Sequence, residues 1–100
     1  MVKKAEILSI DTVLVQCEGN IVSDMDGEKV MLSIQQGKYF NLGQVGGDIW
    51  SIISTPRSVK EIIESLQQIY EIDADICEQD VIPFLQSLLK EDLIRVADAG

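Results

Sequence analysis

The sequence predicts an α+β domain with its strands in the first half and its helices in the second. Two observations carry this expectation: short β-branched runs punctuated by turn residues up to Leu42, and apolar stripes at helical spacing from Gly43 onward. A length of 100 residues allows one modest core, so 1–100 is read as a single domain with its folded part at about residues 10–96. Residues 12–17, Thr-Val-Leu-Val-Gln-Cys, are bounded by Glu18-Gly19-Asn20 and read as a first strand. Residues 21–25 read as a short extended piece. Asp26-Gly27 is the strongest hairpin signal, because a type I′ turn needs positive φ at both central residues. Residues 29–34 form a second strand, apolar enough to be covered on both faces. Gln35-Gln36-Gly37 then turns the chain into a short third strand at 38–42, expected at the sheet edge.

A first helix starts at Gly43. Val45, Ile49, Ile52 and Ile53 fall on one stripe with Trp50 beside it as a core residue, and Thr55-Pro56 stops the helix. Gly46 suits close packing of this helix on the sheet; the run Gly43-Gln44-Val45-Gly46-Gly47 lacks the spacing and the Lys-Ser/Thr of a phosphate-cradling loop. Ser58-Val59-Lys60-Glu61 is a capping box that opens a second helix reaching about Tyr70, with Val59, Ile62, Ile63, Leu66 and Ile69 turned inward. Asp73 or Asp75 caps a third helix bearing Ile76, Val81, Phe84, Leu85, Leu88 and Leu89. Pro83 lies inside that pattern and predicts a kink or a helix in two pieces. Leu93-Ile94-Arg95-Val96 ends the fold as a short extended segment, and the last few residues should fray. Together these elements make a winged helix-turn-helix-like arrangement: an N-terminal three-stranded antiparallel sheet followed by three helices.

Composition narrows the function. Eight Lys+Arg stand against seventeen Asp+Glu with no His, a formal net charge of −9. Without His there is no Ser/His/Asp or Cys/His nucleophile arrangement and no His-ligated metal, so no catalytic residue, metal or cofactor is expected. The negative charge opposes binding to nucleic acid and to anionic membranes, which depend on cationic side chains. Between residues 58 and 90 the only cations are Lys60 and Lys90 amid many acids, which weighs against the rival reading of a winged-helix transcriptional regulator. Cys17 and Cys77 form no CxxC pair and are expected to be reduced thiols of a cytoplasmic protein. No apolar segment follows Lys3-Lys4, and no apolar run is long enough to span a membrane. Binding of a peptide or protein is what remains.

The run from Gly37 to Trp50 carries a resemblance. Gly37, Tyr39, Leu42, Gly46, Ile49 and Trp50 fall in register with the pattern of the PqqD-like family, small recognition elements for the leader segments of ribosomally made, modified peptides. The Ser58-Val59-Lys60-Glu61-Ile62 helix start, Tyr70-Glu71-Ile72-Asp73 and the Asp80-Val81…Phe84-Leu85…Leu88 run also look like that family, so the likeness covers about residues 10–96. Three positions depart from it: Gly43 stands where the family usually has Asn, Asp92 replaces a helix-ending Gly, and Pro83 interrupts the third helix.

The resemblance implies a non-catalytic domain that binds its leader by β-strand addition, in a groove between the third strand and the third helix. The implied contacts are Lys38, Tyr39, Phe40, Asn41 and Leu42 on the strand, and Asp75, Ile76, Glu78, Gln79, Ile82, Leu85 and Gln86 on the helix. Adjacent strand residues point to opposite faces, so only one of Tyr39 and Phe40 can line the groove. The acidic stretch Glu71, Asp73, Asp75, Glu78, Asp80 would steer a leader with basic residues. The likeness leans toward the standalone proteins of lasso-peptide pathways. It then implies a Tyr-x-x-Pro element in the leader and a leader-removing, transglutaminase-like cysteine protease as partner. The alternative is a PqqD-type chaperone that hands its peptide to a radical S-adenosylmethionine enzyme.

Overall fold

In the computed structural model, which describes residues 8–97, the first strand, β1 (Val13–Gln16), carries two consecutive buried residues, Leu14 and Val15. A strand covered on both faces belongs inside a sheet. β1 accordingly lies between β5 (Arg57–Ser58) and β6 (Ile94–Val96), antiparallel to both. Its continuation is tied down by the Gln16 amide to the Ile53 carbonyl (3.0 Å) and the Cys17 amide to the Leu93 carbonyl (2.9 Å).

The three-stranded antiparallel sheet that precedes the helices is made by β2 (Asn20–Met25), β3 (Glu28–Ser33) and β4 (Lys38–Leu42), in that order. This corrects the strand assignment: the segment read as a short extended piece is a full sheet member, and the expected first strand sits in the other sheet. The cause is local. Asp26 (φ 56°) and Gly27 (φ 84°) adopt the two positive dihedrals of a type I′ turn, and a two-residue turn makes the segments it joins immediate neighbours.

Three helices follow. α1 (Gly43–Ile52) starts directly from β4, α2 (Val59–Ile69) directly from β5, and α3 (Ala74–Lys90) after a four-residue connection. The capping box is formed: Ser58 Oγ accepts from the Glu61 amide (3.1 Å) and Glu61 Oε1 accepts from the Ser58 amide (2.9 Å). α3 runs unbroken through Pro83, so the two-piece alternative does not occur. Pro83 is exposed, which leaves the Gln79 carbonyl it deprives on a side that water reaches. Asp73, not Asp75, is the N-cap, and its side chain makes no capping bond. At the other end Asp92 takes φ 60°, and Leu93 and Asp92 donate to the carbonyls of Leu88 and Leu89 (both 3.0 Å). That is the Schellman closure with Asp in the position usually held by Gly.

The core is one cluster drawn from both sheets and all three helices. It includes Leu14, Met31, Ile53, Val59, Ile62 and Leu85, all fully buried, with Trp50 at 6% exposure. Each such aliphatic side chain contributes about 1.5–3 kcal/mol by leaving water. Gly46 lies at a close approach of α1 to α3: an ideal Cβ there would sit 2.8 Å from Phe84 Cζ of α3 and 3.3 Å from Leu42 Cβ. Its small size therefore serves packing on α3 as well as on the sheet. The expected fraying of the last residues falls largely outside the described residues, as does the Lys3-Lys4 segment.

Candidate functional site

β4 has β3 on one side and, among the described residues, no strand on the other. The register decides which of its groups stay open. In a two-residue turn the flanking residues, Met25 and Glu28, form the hydrogen-bonded pair. Even-numbered residues of β3 therefore bond toward β2, and odd-numbered ones toward β4. The Ile34 amide follows the same alternation, donating to the Gly19 carbonyl on the β2 side (3.2 Å). Met31 and Ser33 then bond Phe40 and Lys38, and the N–H and C=O groups of Tyr39 and Asn41 point away from the sheet. The ladder stops at Leu42, because Lys29 bridges to Gly43 with a one-residue slip. Gly43, at φ 73°, bends the strand into α1. Asn41 braces that bend: its Oδ1 accepts from the Gly43 amide (2.9 Å) and its Nδ2 donates to Glu28 Oε1 (3.3 Å).

Side chains alternate with the same period. Phe40 and Leu42 face the helices, half-buried and buried, while Tyr39 is 74% exposed on the outer face. There it joins Leu32 and Ile21 in a row across the three strands. Of the two aromatics, Phe40 is the one on the helix side of the sheet, packed against the core.

α3 passes beside β4 in the opposite sense. At the start of β4, Gln36 Nε2 donates to the Glu91 carbonyl (2.5 Å), and just past its end the Phe84 ring and Leu42 both close on Gly46 of α1. Ile76, Asp80 and Phe84 stand at i, i+4, i+8 on one ridge of α3, which carries Ile76 about 12 Å past Phe84 along the axis. Glu71, Asp73, Asp75, Glu78 and Asp80 are all exposed at that far end. A hollow of about 500 Å³ opens there, lined by Gln67, Glu71, Ile72, Asp73 and Ile76. It belongs to the α2–α3 junction and not to the space between β4 and α3.

The expected site residues thus divide. Lys38, Tyr39 and Asn41 are exposed along β4, and Asp75, Ile76, Glu78, Gln79 and Gln86 are exposed on α3. Ile82 is half-buried against the core. Leu85 is a correction: the helical period turns it inward with Val81 and Leu88, and at 0% exposure it holds the core and offers no surface. Phe84 and Gln36, the contacts that bring α3 to β4, were not among the expected groove residues. Phe84 lies one position off the Val81–Leu85–Leu88 stripe, the place from which a side chain reaches a flank of the helix.

Both thiols are held up from their usual range, chiefly by burial, Cys77 with a push from Asp80 and Cys17 with an opposing pull from Arg95. They are protonated at neutral pH and are poor nucleophiles. Tyr70 donates its hydroxyl to Asp48 Oδ2 (2.5 Å), joining the end of α2 to α1, and this bond raises the phenol above its ordinary range. Among the described residues no group of three His, Cys, Asp or Glu could hold a metal, and no helix is long and apolar enough to cross a membrane.

A family model described as coenzyme PQQ synthesis protein D (PqqD) matches residues 28–94, from the first residue of β3 into β6. No curated protein matches. Among solved structures the chain is similar to one described as "TbiB1 in Complex with the TbiA(beta) Leader Peptide". The identity is 30% and the TM-score 0.73, over 84% of this chain and 99% of that one. It is also similar to the solution structure of the PqqD truncation of Methylobacterium extorquens PqqCD, described as a functional, stand-alone recognition element for ribosomally synthesised and post-translationally modified peptides. There the identity is 21% and the TM-score 0.75, over 89% of this chain and 95% of that one, a likeness of fold.

Proposed function

This chain belongs to the PqqD family, and we propose that it is a recognition element that binds the leader segment of a ribosomally synthesised precursor peptide by adding it as a strand to β4. The observation that carries this is the unpaired main chain of Tyr39 and Asn41 beside the wall formed by α3. An open edge next to a helix offers main-chain bonds for affinity and side-chain contacts for specificity. On β4 the contact residues are Lys38, Tyr39, Phe40 and Asn41, while Leu42 is a correction, buried in the core at the end of the strand. On α3 they are Ile76, Gln79, Ile82 and Gln86, with Asp75 and Glu78 supplying charge. The chain acts by holding its peptide, with no chemistry of its own.

The finer reading is a lasso-peptide pathway, in which the bound leader is presented to a leader-removing cysteine protease. Support comes from TbiB1, described with its leader peptide bound, and from the outer face of the β2–β3–β4 sheet. Its row of exposed Ile21, half-buried Leu32 and exposed Tyr39 borders the docking edge, and Glu28, bonded to Asn41, is the one charged residue of these strands on that face. An enzyme approaching there meets sheet and leader together.

The test is calorimetric titration with the TbiA(beta) leader peptide and with peptides selected from a random linear library displayed on phage. Tyr39→Pro removes an outward N–H from an edge strand, where proline is tolerated. Binding that this variant abolishes, with circular dichroism and melting temperature retained, is the expected result. Recovery of no binder, or binding indifferent to Tyr39→Pro, overturns the proposal.

A further inference from the structure

We infer that the chain reads its peptide's backbone through two N–H groups only, with one residue between them, and is indifferent to the N–H groups of that residue and of the neighbours on either side. The inference rests on strand addition to β4. The outward ladder consists of Tyr39 and Asn41 and nothing more: the one-residue slip between Lys29 and Gly43 ends it on one side. On the other, Gly37 donates to the Ser33 carbonyl (2.8 Å) and turns the chain away. Each of the two residues offers one acceptor and one donor. A docked strand therefore gives them two N–H groups, from residues i and i+2, whichever way it runs. Residue i+1 and the two outer neighbours turn their N–H groups to solvent.

Orientation adds a second condition. In an antiparallel pair, residues i and i+2 lie opposite Tyr39 and Asn41 and share their outer face. Residue i+1 then lies opposite Phe40 and projects to the helix side of the sheet, where α3 flanks β4. In a parallel pair the assignment reverses, and the residues whose N–H groups are bonded are those that face α3. A peptide position that both faces the helix and carries an N-substituted backbone, as an imino acid does, is therefore admitted only by antiparallel docking. The substrate class is an extended segment with two free N–H groups at i and i+2, between which backbone substitution is tolerated.

The probe is the tightest peptide recovered from the displayed library, remade as a series in which one amide at a time becomes an ester. This removes a single N–H without adding bulk, and it also weakens the carbonyl of the preceding residue as an acceptor. Positions i and i+2 are expected to lose about tenfold in affinity each, about 1.4 kcal/mol; a neighbour whose ester only weakens a bonded carbonyl should lose clearly less, and the remaining positions should stay within about twofold, on the order of 0.4 kcal/mol. Three or more positions in an unbroken run that each lose about tenfold, or none at all, overturn the inference. Loss of binding with Tyr39→Pro together with a non-alternating ester series refutes this inference alone. Binding that survives Tyr39→Pro refutes strand addition itself.

Discussion

Gly43 shows how a departure from a family pattern can leave the geometry intact. The position needs φ near +73° to turn β4 into α1, and Gly and Asn are the residues that reach that region most readily. The side-chain cap that an asparagine there would supply is replaced by Asn41, whose Oδ1 takes the Gly43 amide. Asp92 at φ 60° follows the same logic, since Asp can satisfy its backbone locally in the left-handed region. Glu61 carries a measurable consequence. The Ser58 amide, with the Ser58 hydroxyl and Arg57 adding to it and burial opposing, holds its carboxyl below the usual glutamate range. A depressed carboxyl stabilises the fold above its unfolded pKa, and that contribution disappears as pH falls through the folded value. Melting temperatures across acidic pH should therefore show the wild type ahead of Glu61→Gln near neutrality and the gap closing on acidification. A gap independent of pH contradicts the assignment; glutamine still completes the capping box, so the variant folds.

Among the elements, α2 was legible in the sequence apart from Ile69, read as inward but 55% exposed at the last residue of the helix; a capping box and an inward stripe are both local signals. The helices' order and the edge position of β4 were legible for the same reason. The pairing of β1 was not: its partners Ser58 and Ile94–Val96 lie far away in sequence, and no periodicity within residues 12–17 encodes them. β2 was under-read because its exposed Ile21, Ser23, Asp24 and Met25 carry little apolar signal, although the Asp26-Gly27 turn already required a strand on each side. Leu85 was misplaced by one step of the helical period. Pro83 was read as a kink or a break because its cost is real, and the break does not occur: packing of Val81, Phe84, Leu85 and Leu88 around it holds α3 together. That cost is open to test: Pro83→Ala restores a donor at an exposed interior position and should raise stability by about 1–3 kcal/mol, read as a higher melting temperature. A lower one shows that the proline is matched to the shape of α3.

For the molecule as a whole, a net charge of −9 and an acidic far end of α3 set the long-range field around the docking edge. Steering of this kind is screened by salt. Lysines appended to a bound peptide on the side nearer Ile76 should tighten binding at low ionic strength. The gain should vanish in high salt or in the triple variant Asp75→Asn, Glu78→Gln, Asp80→Asn. A gain that survives both would place the lysines elsewhere. The account depends most on where the peptide backbone lies, and amide hydrogen exchange followed by NMR reports that residue by residue. In the free chain the Tyr39 and Asn41 amides should exchange quickly and those of Lys38 and Phe40, bonded to β3, slowly. Saturating peptide should protect Tyr39 and Asn41 while leaving Lys38 and Phe40 little changed; unaltered exchange at Tyr39 and Asn41 in the saturated complex would contradict strand addition at β4.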